Sequence, residues 1–480
     1  MEKILYVTSE VTPFAASGGL GDVMGALPRA VRRQTGKGTE IGVLMPLYSS
    51  ILAKWRGRMR KVFEGYLPLA WRQVRYTFYS LRIGGVIYYF VENERYFTRD
   101  GMYGEYDDGE RFAFFGRAAI ELMLRMERPP DILHANDWQS ALAVIYLRTL
   151  FREDSRFFNT RTVFTVHNIE YQGKYDPAIL CDVFDLHPVH REAVMHGGCI
   201  NLMKGALVLA DHVTTVSRRY AEELCTEEYS FGLSEVIRSV RYKTSGILNG
   251  IDTAYFSPSD AGVIPYPYTV ADAEHGKAAN KAAIRKELGL CEDREAPLLV
   301  MVTRLTAAKG IDLVLEMIDS LLSRRVQLVI LGTGDKEYEQ RLSAAVNGRA
   351  SARVILAFDR DLSKRLYAAA DLFLMPSRSE PCGLAQMVAC RFGTIPVVRA
   401  TGGLADSIVP FGERGACGFV FENYNAHELL RTVLEAVRLY TEDKEAWRAL
   451  RDRAMRTDFT WRRAAGQYLE IYENLVRKSL

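Results

Sequence analysis

The feature that most constrains this 480-residue chain is an alternation of short apolar runs and helical patterns, which occurs twice. In the first half, the runs "KILYV", "EIGVLMP", "DILHAN" and "RTVFTV" are separated by segments whose apolar residues have helical spacing. The same order starts again with "PLLVMV" and continues through "VQLVIL", "DLFLM" and "TIPVVR". Near-continuous apolar strands separated by helices are typical of a parallel sheet covered on both faces. We therefore predict an α/β protein with two Rossmann-like, doubly wound domains that face each other across a cleft.

The boundary between the two patterns falls at a stretch containing proline and serine, "FSPSDAGVIPYPYTV", which starts at Phe256. Residues 1–255 are predicted to form the first domain and residues 256–458 the second. The last stretch, residues 459–480, has the apolar spacing of one long helix.

Composition and charge exclude several classes of protein. The net charge is +3, and lysines and arginines stand among acids, which argues against non-specific nucleic-acid binding. The seven cysteines form no C-x-x-C pair, so we expect neither a zinc site nor a disulfide framework. The start "MEKILYVTSE" lacks the pattern of a signal peptide, and no apolar run approaches the roughly 20 residues of a membrane helix. These features predict a cytoplasmic protein that binds no membrane.

Polar residues follow several apolar runs at the points where the predicted strands end. In open α/β sheets, ligands bind beyond the carboxyl ends of the strands. So many charged residues at successive strand ends are hard to explain without a polar ligand. The residues concerned are Glu10, Asp137 and His167 in the first half, and Arg304, Lys309 and Glu380 in the second.

Two common nucleotide-binding motifs are absent from the sequence. The stretch "LGTGD" begins like the dinucleotide fingerprint G-x-G-x-x-G with Gly332 and Gly334, but the third glycine position holds Glu337. No G-x-x-x-x-G-K-[ST] segment occurs either. The chain is therefore predicted to be neither a nicotinamide-dependent enzyme nor a P-loop ATPase.

The charges and glycines suit a phosphorylated ligand. Arg304 and Lys309 provide two cations for a diphosphate. The pairs Gly18-Gly19 and Gly402-Gly403 each precede a predicted helix, where backbone N–H groups can approach phosphate oxygens. These groups would meet the phosphate charge in place of magnesium, so we expect no metal ion and no cofactor.

Carboxylates complete the pattern. Asp137 and Glu380 suit sugar hydroxyls or a positive charge that develops on a sugar ring. A diphosphate site combined with a sugar site predicts a nucleotide-sugar as the ligand.

Longer segments carry a resemblance to one family. The chain resembles the bacterial glycogen synthases and plant starch synthases, which are retaining glucosyltransferases of the GT-B fold. The matching segments run from residue 3 to about residue 472 and include "SGGLGDVMGALP", "HANDWQSAL", "TVHNIEYQGKY", "GILNGIDTAYFSP", "TRLTAAKGIDLVLE" and "PSRSEPCGLAQMVACRFGTIPVVRATGGLADSI". The resemblance implies transfer of glucose from ADP-glucose to the non-reducing end of an α-1,4-glucan, such as glycogen or a maltooligosaccharide, with retention of configuration.

The resemblance also implies roles for individual residues. Arg304 and Lys309 would neutralise the leaving diphosphate, and Glu380 would lie near the anomeric centre. His167 would contact the donor glucose, and Asp137 would meet the donor sugar or the acceptor. Further substrate-binding positions that the resemblance implies are Glu10, Gly18, Gly19, Asn249, Gly334, Cys382, Gly383, Leu384, Thr401, Gly402 and Gly403. The C-terminal helix would return to the first domain, and the segment from Tyr103 to Arg111 would shape the acceptor side.

Two mechanisms remain open at this stage. The acceptor can attack from the face that ADP leaves, with the departing phosphate taking the acceptor proton. The alternative is a double displacement through Glu380 or Asp137 as nucleophile.

One position departs from the family pattern. The family signature K-T-G-G-L reads Ala16-Ser17-Gly18-Gly19-Leu20 here, so the lysine is missing. Losing a charged contact in a buried site costs on the order of a few kcal/mol when the partner charge stays unpaired. Three interpretations remain: a fully active synthase, a donor preference shifted toward UDP-glucose, and a weakly active paralog that binds glucan. A nucleotide-sugar epimerase of the same fold is a more distant alternative.

Overall fold

The computed structural model describes residues 1–477, and the chain divides into two compact units. Unit 1 comprises Met1–Asn249 together with the segment that starts at Trp461, and unit 2 comprises Gly250–Thr460. The chain thus leaves unit 1 after Asn249 and returns to it after Thr460, a few residues from the positions at which the sequence pattern changes.

Unit 1 is built around a twisted, mostly parallel sheet. The strands of unit 1 are β1 (Lys3–Val7), β2 (Glu40–Pro46), β3 (Arg60–Leu69), β4 (Arg72–Ile83), β5 (Val86–Glu92), β6 (Ile132–Asn136), β7 (Arg161–Val166), β8 (Lys174–Tyr175), β9 (Met195–His196), β10 (Cys199–Asn201), β11 (His212–Thr215) and β12 (Thr244–Gly246). Among the described residues, nine of them form one sheet in the order β12-β11-β7-β6-β1-β2-β5-β4-β3. A small antiparallel sheet has the order β8-β10-β9.

The helices of unit 1 lie between its strands along the chain. They are α1 (Gly19–Thr35), α2 (Ser49–Trp55), α3 (Glu94–Phe97), α4 (Asp108–Arg125), α5 (Trp138–Arg148), α6 (Arg191–Val194), α7 (Leu202–Leu209), α8 (Arg218–Glu223) and α9 (Ser234–Ser239). In the central strand β1, the side chains of residues 4–7 are fully buried. A strand covered on both faces needs a continuous apolar run, which explains "ILYV".

One edge of the sheet in unit 1 is antiparallel. Strand β4 pairs antiparallel with both β5 and β3. Exposed side chains alternate with less exposed ones along residues 64–69 of β3, because this strand of the hairpin presents one face to solvent. The search for near-continuous apolar runs therefore missed it.

Unit 2 contains a parallel sheet flanked by helices, as predicted. Its strands are β13 (Leu298–Val302), β14 (Gln327–Leu331), β15 (Ala352–Ile355), β16 (Leu372–Met375), β17 (Ile395–Arg399) and β18 (Phe419–Phe421). The order is β15-β14-β13-β16-β17-β18, and every neighbouring pair is parallel. The helices are α10 (Ala273–Leu288), α11 (Ile311–Leu322), α12 (Lys336–Val346), α13 (Arg360–Ala369), α14 (Ala385–Arg391), α15 (Gly402–Ser407), α16 (Ala426–Glu442) and α17 (Lys444–Arg456).

The last helix, α18 (Trp461–Arg477), belongs to unit 1. Its Tyr472 hydroxyl lies 2.7 Å from Nδ1 of His134 in β6 and donates to the Tyr6 hydroxyl in β1 at 3.1 Å. The other ring nitrogen of His134 lies 2.5 Å from the Thr165 hydroxyl in β7. The helix therefore packs on the sheet of unit 1, and a buried polar network joins it to three strands.

No helix in the described range, residues 1–477, is long and apolar enough to cross a membrane.

Candidate active site

Three adjacent parallel strands of unit 1 bring the predicted polar residues to one edge. The order β7-β6-β1 makes these strands neighbours, and their carboxyl ends lie side by side. Glu10 follows β1, Asp137 follows β6, and His167 follows β7. Because carboxyl ends of parallel strands meet at the same edge, the structure places Glu10, Asp137 and His167 at one edge of the sheet.

The neighbouring Asn136 fixes the tautomer of His167. The Asn136 side-chain amide group donates to the carbonyl oxygens of Val7 and His134, both at 3.3 Å. Its Oδ1 therefore points away from these carbonyls and accepts from Nε2–H of His167 at 3.0 Å. Burial of the ring lowers the pKa of His167 to about 3. His167 is thus neutral at neutral pH and presents an unprotonated Nδ1.

Asp137 holds the backbone that carries His167. Its Oδ1 accepts from the amides of His167 at 2.7 Å and Asn168 at 3.4 Å. Burial raises the pKa of Asp137 to about 7, although these two amides favour the ionised form. Asp137 also has a φ of 56°, a region that costs non-glycine residues about 1–3 kcal/mol. Backbone strain at a side chain that titrates near neutrality is typical of a functional site.

Glu10 is the acceptor around which the glycine-containing bend folds. Its carboxylate accepts from the amide and hydroxyl of Ser17 at 2.7 and 2.6 Å, and from the amide of Gly18 at 3.2 Å. The sequence analysis assigned the Gly18 amide to substrate, but in this structure that amide is bonded to Glu10. Gly19 starts α1 and is exposed.

Tyr103 completes the set of partners of Glu10. Its hydroxyl lies 2.8 Å from Oε1 of Glu10 and 2.7 Å from the Ser9 hydroxyl. Burial, with the nearby carboxylate as a smaller cause, raises the pKa of Tyr103 well above its usual value. Glu10 is therefore satisfied by neutral donors, without a cation at position 16.

In unit 2, the two strand ends of β13 and β16 bring Lys309 and Glu380 together. The Lys309 ammonium lies 2.6 Å from Oε2 of Glu380, and the Ser377 hydroxyl donates to the same oxygen at 2.9 Å. Glu380 is 7% exposed, so this ion pair is largely removed from water. The sequence predicted both residues as catalytic but did not predict their pairing.

Arg304 takes no part in the ion pair of Lys309 and Glu380. It follows β13, is exposed, and forms no ion pair with any side chain that the structure describes. The two cations assigned to a diphosphate thus differ: Lys309 already has a carboxylate partner, whereas the Arg304 guanidinium is open to a ligand.

The glycines of unit 2 allow backbones to approach closely. A Cβ at Gly334 would lie 2.2 Å from the carbonyl oxygen of Leu305, and one at Gly403 would lie 2.1 Å from that of Cys382. The amide of Gly334 donates to Glu339 at 2.9 Å, and that of Gly403 to the Glu380 carbonyl at 3.0 Å. These two amides, assigned to substrate from the sequence, are engaged within the chain in this structure.

The loop that follows Glu380 is braced by Gln386, a residue that the sequence analysis did not single out. The Gln386 side-chain amide group donates to the carbonyl oxygens of Cys382 and Gly383 and to the Ser407 hydroxyl, at 2.9 to 3.1 Å. A Cβ at Gly402 would lie 2.0 Å from the Glu380 carbonyl oxygen. The predicted positions Cys382 and Gly383 therefore lie in a loop held by Gln386. Leu384 directly precedes α14 and Thr401 directly precedes α15, whose first residue, Gly402, packs against the Glu380 backbone.

Two further residues follow strands and differ in exposure. Asn249, the last residue of unit 1, is buried, and its Oδ1 has no hydrogen-bond partner among the described residues. Phe358 follows β15 and is 82% exposed. Strand β15 ends at Ile355, which leaves the Phe358 ring on the following loop.

Comparisons with known proteins decide the family. The model of the starch synthase catalytic domain matches residues 3–239, and that of glycosyl transferases group 1 matches residues 281–453. A glycogen synthase of Geobacillus thermodenitrificans is 43% identical over 483 residues, which cover 99% of this chain and 98% of that protein. This chain belongs to the glycogen and starch synthase family. A glycogen synthase of Desulfitobacterium hafniense is 40% identical and is covered over its whole length, together with 99% of this chain.

Solved structures agree with this assignment. The catalytic domain of starch synthase IV from Arabidopsis thaliana, bound to ADP and acarbose, has a TM-score of 0.90 and 32% identity, with 99% of each chain covered. Sucrose-phosphate synthase from Thermosynechococcus elongatus has a TM-score of 0.62 at 18% identity over all of both chains, which shows the shared fold. The predicted GT-B fold and the predicted glucosyltransferase class are therefore confirmed.

Proposed function

We propose that this glucosyltransferase transfers glucose from ADP-glucose to the non-reducing end of an α-1,4-glucan, with retention of configuration. The observation that carries the proposal is the Lys309–Glu380 pair, 2.6 Å apart, with the open guanidinium of Arg304 nearby in the sequence. The starch synthase IV structure, which contains ADP and acarbose, supports both a diphosphate nucleotide and a glucan-like ligand.

In unit 2, we assign binding of the leaving diphosphate to Arg304 and Lys309. Cleavage of the glucose–phosphate bond builds negative charge on the diphosphate, which Arg304 and Lys309 stabilise. The loops at Cys382–Leu384, Thr401 and Gly402 would contact the donor beside Glu380. Phe358 offers an exposed ring on which a nucleobase stacks, a contact worth about 1–3 kcal/mol per base.

In unit 1, the proposed sugar-binding groups are Glu10, Gly19, Asp137, His167 and Asn249. Neutral His167 acts as a hydrogen-bond acceptor through Nδ1 instead of as a cationic acid. When it is ionised, the Asp137 carboxylate stabilises the positive charge that develops on the glucose ring.

The contacts of the carboxylates favour one of the two retaining mechanisms. Glu380 binds Lys309 and the Ser377 hydroxyl through the same oxygen, which lowers its strength as a nucleophile. The Asp137 carboxylate accepts hydrogen bonds from two backbone amides. Its pKa of about 7 leaves a large fraction of the molecules with a protonated Asp137 at neutral pH. Both facts support attack from the face that ADP leaves, with a phosphate oxygen taking the acceptor proton.

Alanine at position 16 is compatible with an active enzyme. The carboxylate of Glu10 keeps four hydrogen bonds without a lysine, from Ser17, Gly18 and Tyr103. A Cβ at Gly21 would lie 2.3 Å from the Ala16 side chain and 3.3 Å from Oε2 of Glu10, so a lysine at 16 would start close to this carboxylate. Without a lysine, both carboxylate oxygens of Glu10 still have hydrogen-bond donors.

We further propose that the protein works in the cytoplasm on glycogen or maltooligosaccharides. All seven cysteines lie within the described residues, and none of them forms a disulfide there. Such usage suits a reducing compartment.

The test is nucleotide release from purified protein and glycogen, with ADP-glucose and UDP-glucose supplied in parallel. The proposal expects brisk ADP release, little UDP release, and no gain from Ala16→Lys. A preference for UDP-glucose would assign the missing lysine to a change of donor. If neither donor is consumed and Ala16→Lys does not restore turnover, the chain is a glucan-binding paralog.

A further inference from the structure

The turn that carries Lys309 is held in place at three points. It covers residues 307–309, and a Cβ at the following Gly310 would lie 2.1 Å from the carbonyl oxygen of Pro376. The amide of Arg378 donates to the Ala308 carbonyl oxygen at 3.0 Å. The third point is Tyr424, whose hydroxyl approaches the Ala307 carbonyl oxygen at 3.4 Å and donates its single proton to the carboxylate of Asp312, three residues after Lys309. The first two contacts involve backbone atoms, whereas the third comes from a side chain.

Tyr424 lies at the centre of a charged cluster beside this turn. Its hydroxyl donates to the carboxylate of Asp312, in the first turn of α11. The Arg378 guanidinium lies 4.5 Å from the centre of the Tyr424 ring, and 3.6 Å separates it from Oδ2 of Asp312. Cation–π contacts of this kind contribute about 0.5–2 kcal/mol.

A second arginine joins the cluster to the loop of Glu380. Arg399, at the end of β17, lies 5.7 Å from the Tyr424 ring centre and donates to the Arg378 carbonyl oxygen at 2.8 Å. Arg378 precedes Glu380 by two residues, and Lys309 follows Ala307 by two. The cluster therefore holds together the two segments whose side chains form the Lys309–Glu380 pair.

We propose that Tyr424 is a positioning residue, which sets the place of the Lys309 ammonium by fixing the turn that carries it. The inference rests on the role proposed above for Lys309 as a partner of the leaving diphosphate. The lysine side chain has four rotatable bonds, so the turn backbone decides which positions its ammonium can reach. Displacements of about 1 Å in a reacting geometry can cost as much as 10²-fold in rate.

The test is a double-mutant cycle on Tyr424→Phe and Lys309→Ala. Tyr424→Phe keeps the ring under Arg378 and removes only the hydroxyl. We expect it to lower kcat with ADP-glucose about tenfold and to leave the KM for glycogen unchanged. In the Lys309→Ala background, where turnover is measured at high enzyme concentration, the same substitution should have almost no effect, because Tyr424 acts through Lys309.

The matched control is Tyr266→Phe, which removes the hydroxyl of a half-exposed tyrosine elsewhere in unit 2 and should not change kcat. An additive effect of Tyr424→Phe in both backgrounds would overturn the inference while leaving the role of Lys309 intact. A wild-type kcat for Tyr424→Phe would do the same. If Lys309→Ala itself turns over normally, the proposed role of Lys309 fails, and the inference fails with it.

Melting temperatures separate positioning from a general loss of structure. We expect Tyr424→Phe to melt within about 4 °C of the wild type. If it melts much lower, Asp312→Asn replaces it in the same cycle, because its amide oxygen still accepts from Tyr424 while the charge next to Arg378 is lost. The inference is supported if Asp312→Asn lowers kcat less than Tyr424→Phe does and has no effect in the Lys309→Ala background. An equal effect of Asp312→Asn in both backgrounds overturns it.

Discussion

The Lys309 ammonium and the Glu380 carboxylate form an ion pair of 2.6 Å between residues that are 71 positions apart in the chain. The Ser377 hydroxyl binds the same carboxylate oxygen, which leaves the other oxygen of Glu380 for a different partner. A lysine ammonium has three donors, so Lys309 can keep Glu380 and still bind a phosphate oxygen. The pair therefore orients the cation before the donor arrives.

The first prediction concerns that cation. Lys309→Ala should lower kcat with ADP-glucose by about 10²- to 10³-fold, because the charge that develops on the diphosphate loses a fixed partner. Steady-state ADP release with glycogen measures the effect. Lys336→Ala, at an exposed lysine at the start of α12, is the control and should behave as wild type. Turnover of Lys309→Ala within twofold of the wild type would refute the assignment.

The second prediction separates Arg304 from Lys309. Because Arg304 is exposed and unpaired with any described side chain, its removal should cost donor binding without disturbing Glu380. Arg304→Ala is expected to raise the KM for ADP-glucose about tenfold or more, and the Kd for ADP in parallel. Calorimetric titration with ADP measures the latter, with Arg294→Ala as an exposed control. Unchanged ADP affinity would place the diphosphate elsewhere.

The third prediction uses the titration of Asp137. Its folded pKa of about 7 lies above the unfolded value, so folding favours the protonated form, and this contribution to stability is lost as pH rises toward 7. Asp137→Asn removes the titration. Relative to the wild type, the variant should gain about 4 kcal/mol in the free energy of unfolding between pH 4 and pH 8, because the shift of about three pKa units corresponds to about 1.4 kcal/mol per unit.

Chemical denaturation at several pH values, followed with a probe in unit 1, measures this difference. Asp182→Asn, at an exposed aspartate, serves as the matched control and should keep the wild-type profile. Parallel stability curves for Asp137→Asn and wild type would show that Asp137 titrates normally.

The fourth prediction concerns the last helix. Tyr472→Phe removes the hydroxyl between His134 and Tyr6 and leaves two buried polar groups short of a partner. The expected loss is about 1–3 kcal/mol in the stability of unit 1, without a change in ADP affinity. Thermal melting and ADP titration measure the two effects, and Tyr171→Phe, at an exposed tyrosine, controls for loss of a hydroxyl. Wild-type melting of Tyr472→Phe would mean that the network adds little to stability.

The strands and the residues at their ends could be predicted because both depend on local chemistry. A buried parallel strand needs an uninterrupted apolar run, as in β1 and β14, and its carboxyl end opens to solvent, where polar residues follow. The hairpin of β3 and β4 was not predicted, because its sequence lacks such an uninterrupted apolar run.

Partners within the site could not be predicted, because they depend on side-chain positions in three dimensions. The glycine pattern at residues 18 and 19 correctly indicated a bend, but the acceptor of the Gly18 amide is the carboxylate of Glu10. The glycines at 334 and 403 have a packing reason that appears only when the neighbouring backbones are seen. Within the segment from Tyr103 to Arg111, the Tyr103 hydroxyl is bonded to Ser9 and Glu10, whereas Tyr106 is fully exposed, a difference that the sequence does not indicate.

Retaining glucosyl transfer is tested by product analysis after incubation of maltotetraose with ADP-glucose labelled in its glucose. We expect maltopentaose and longer chains, with the label at the non-reducing end and the new linkage in the α configuration by proton NMR. A β-configured linkage, label at the reducing end, or free labelled glucose as the main product would contradict it.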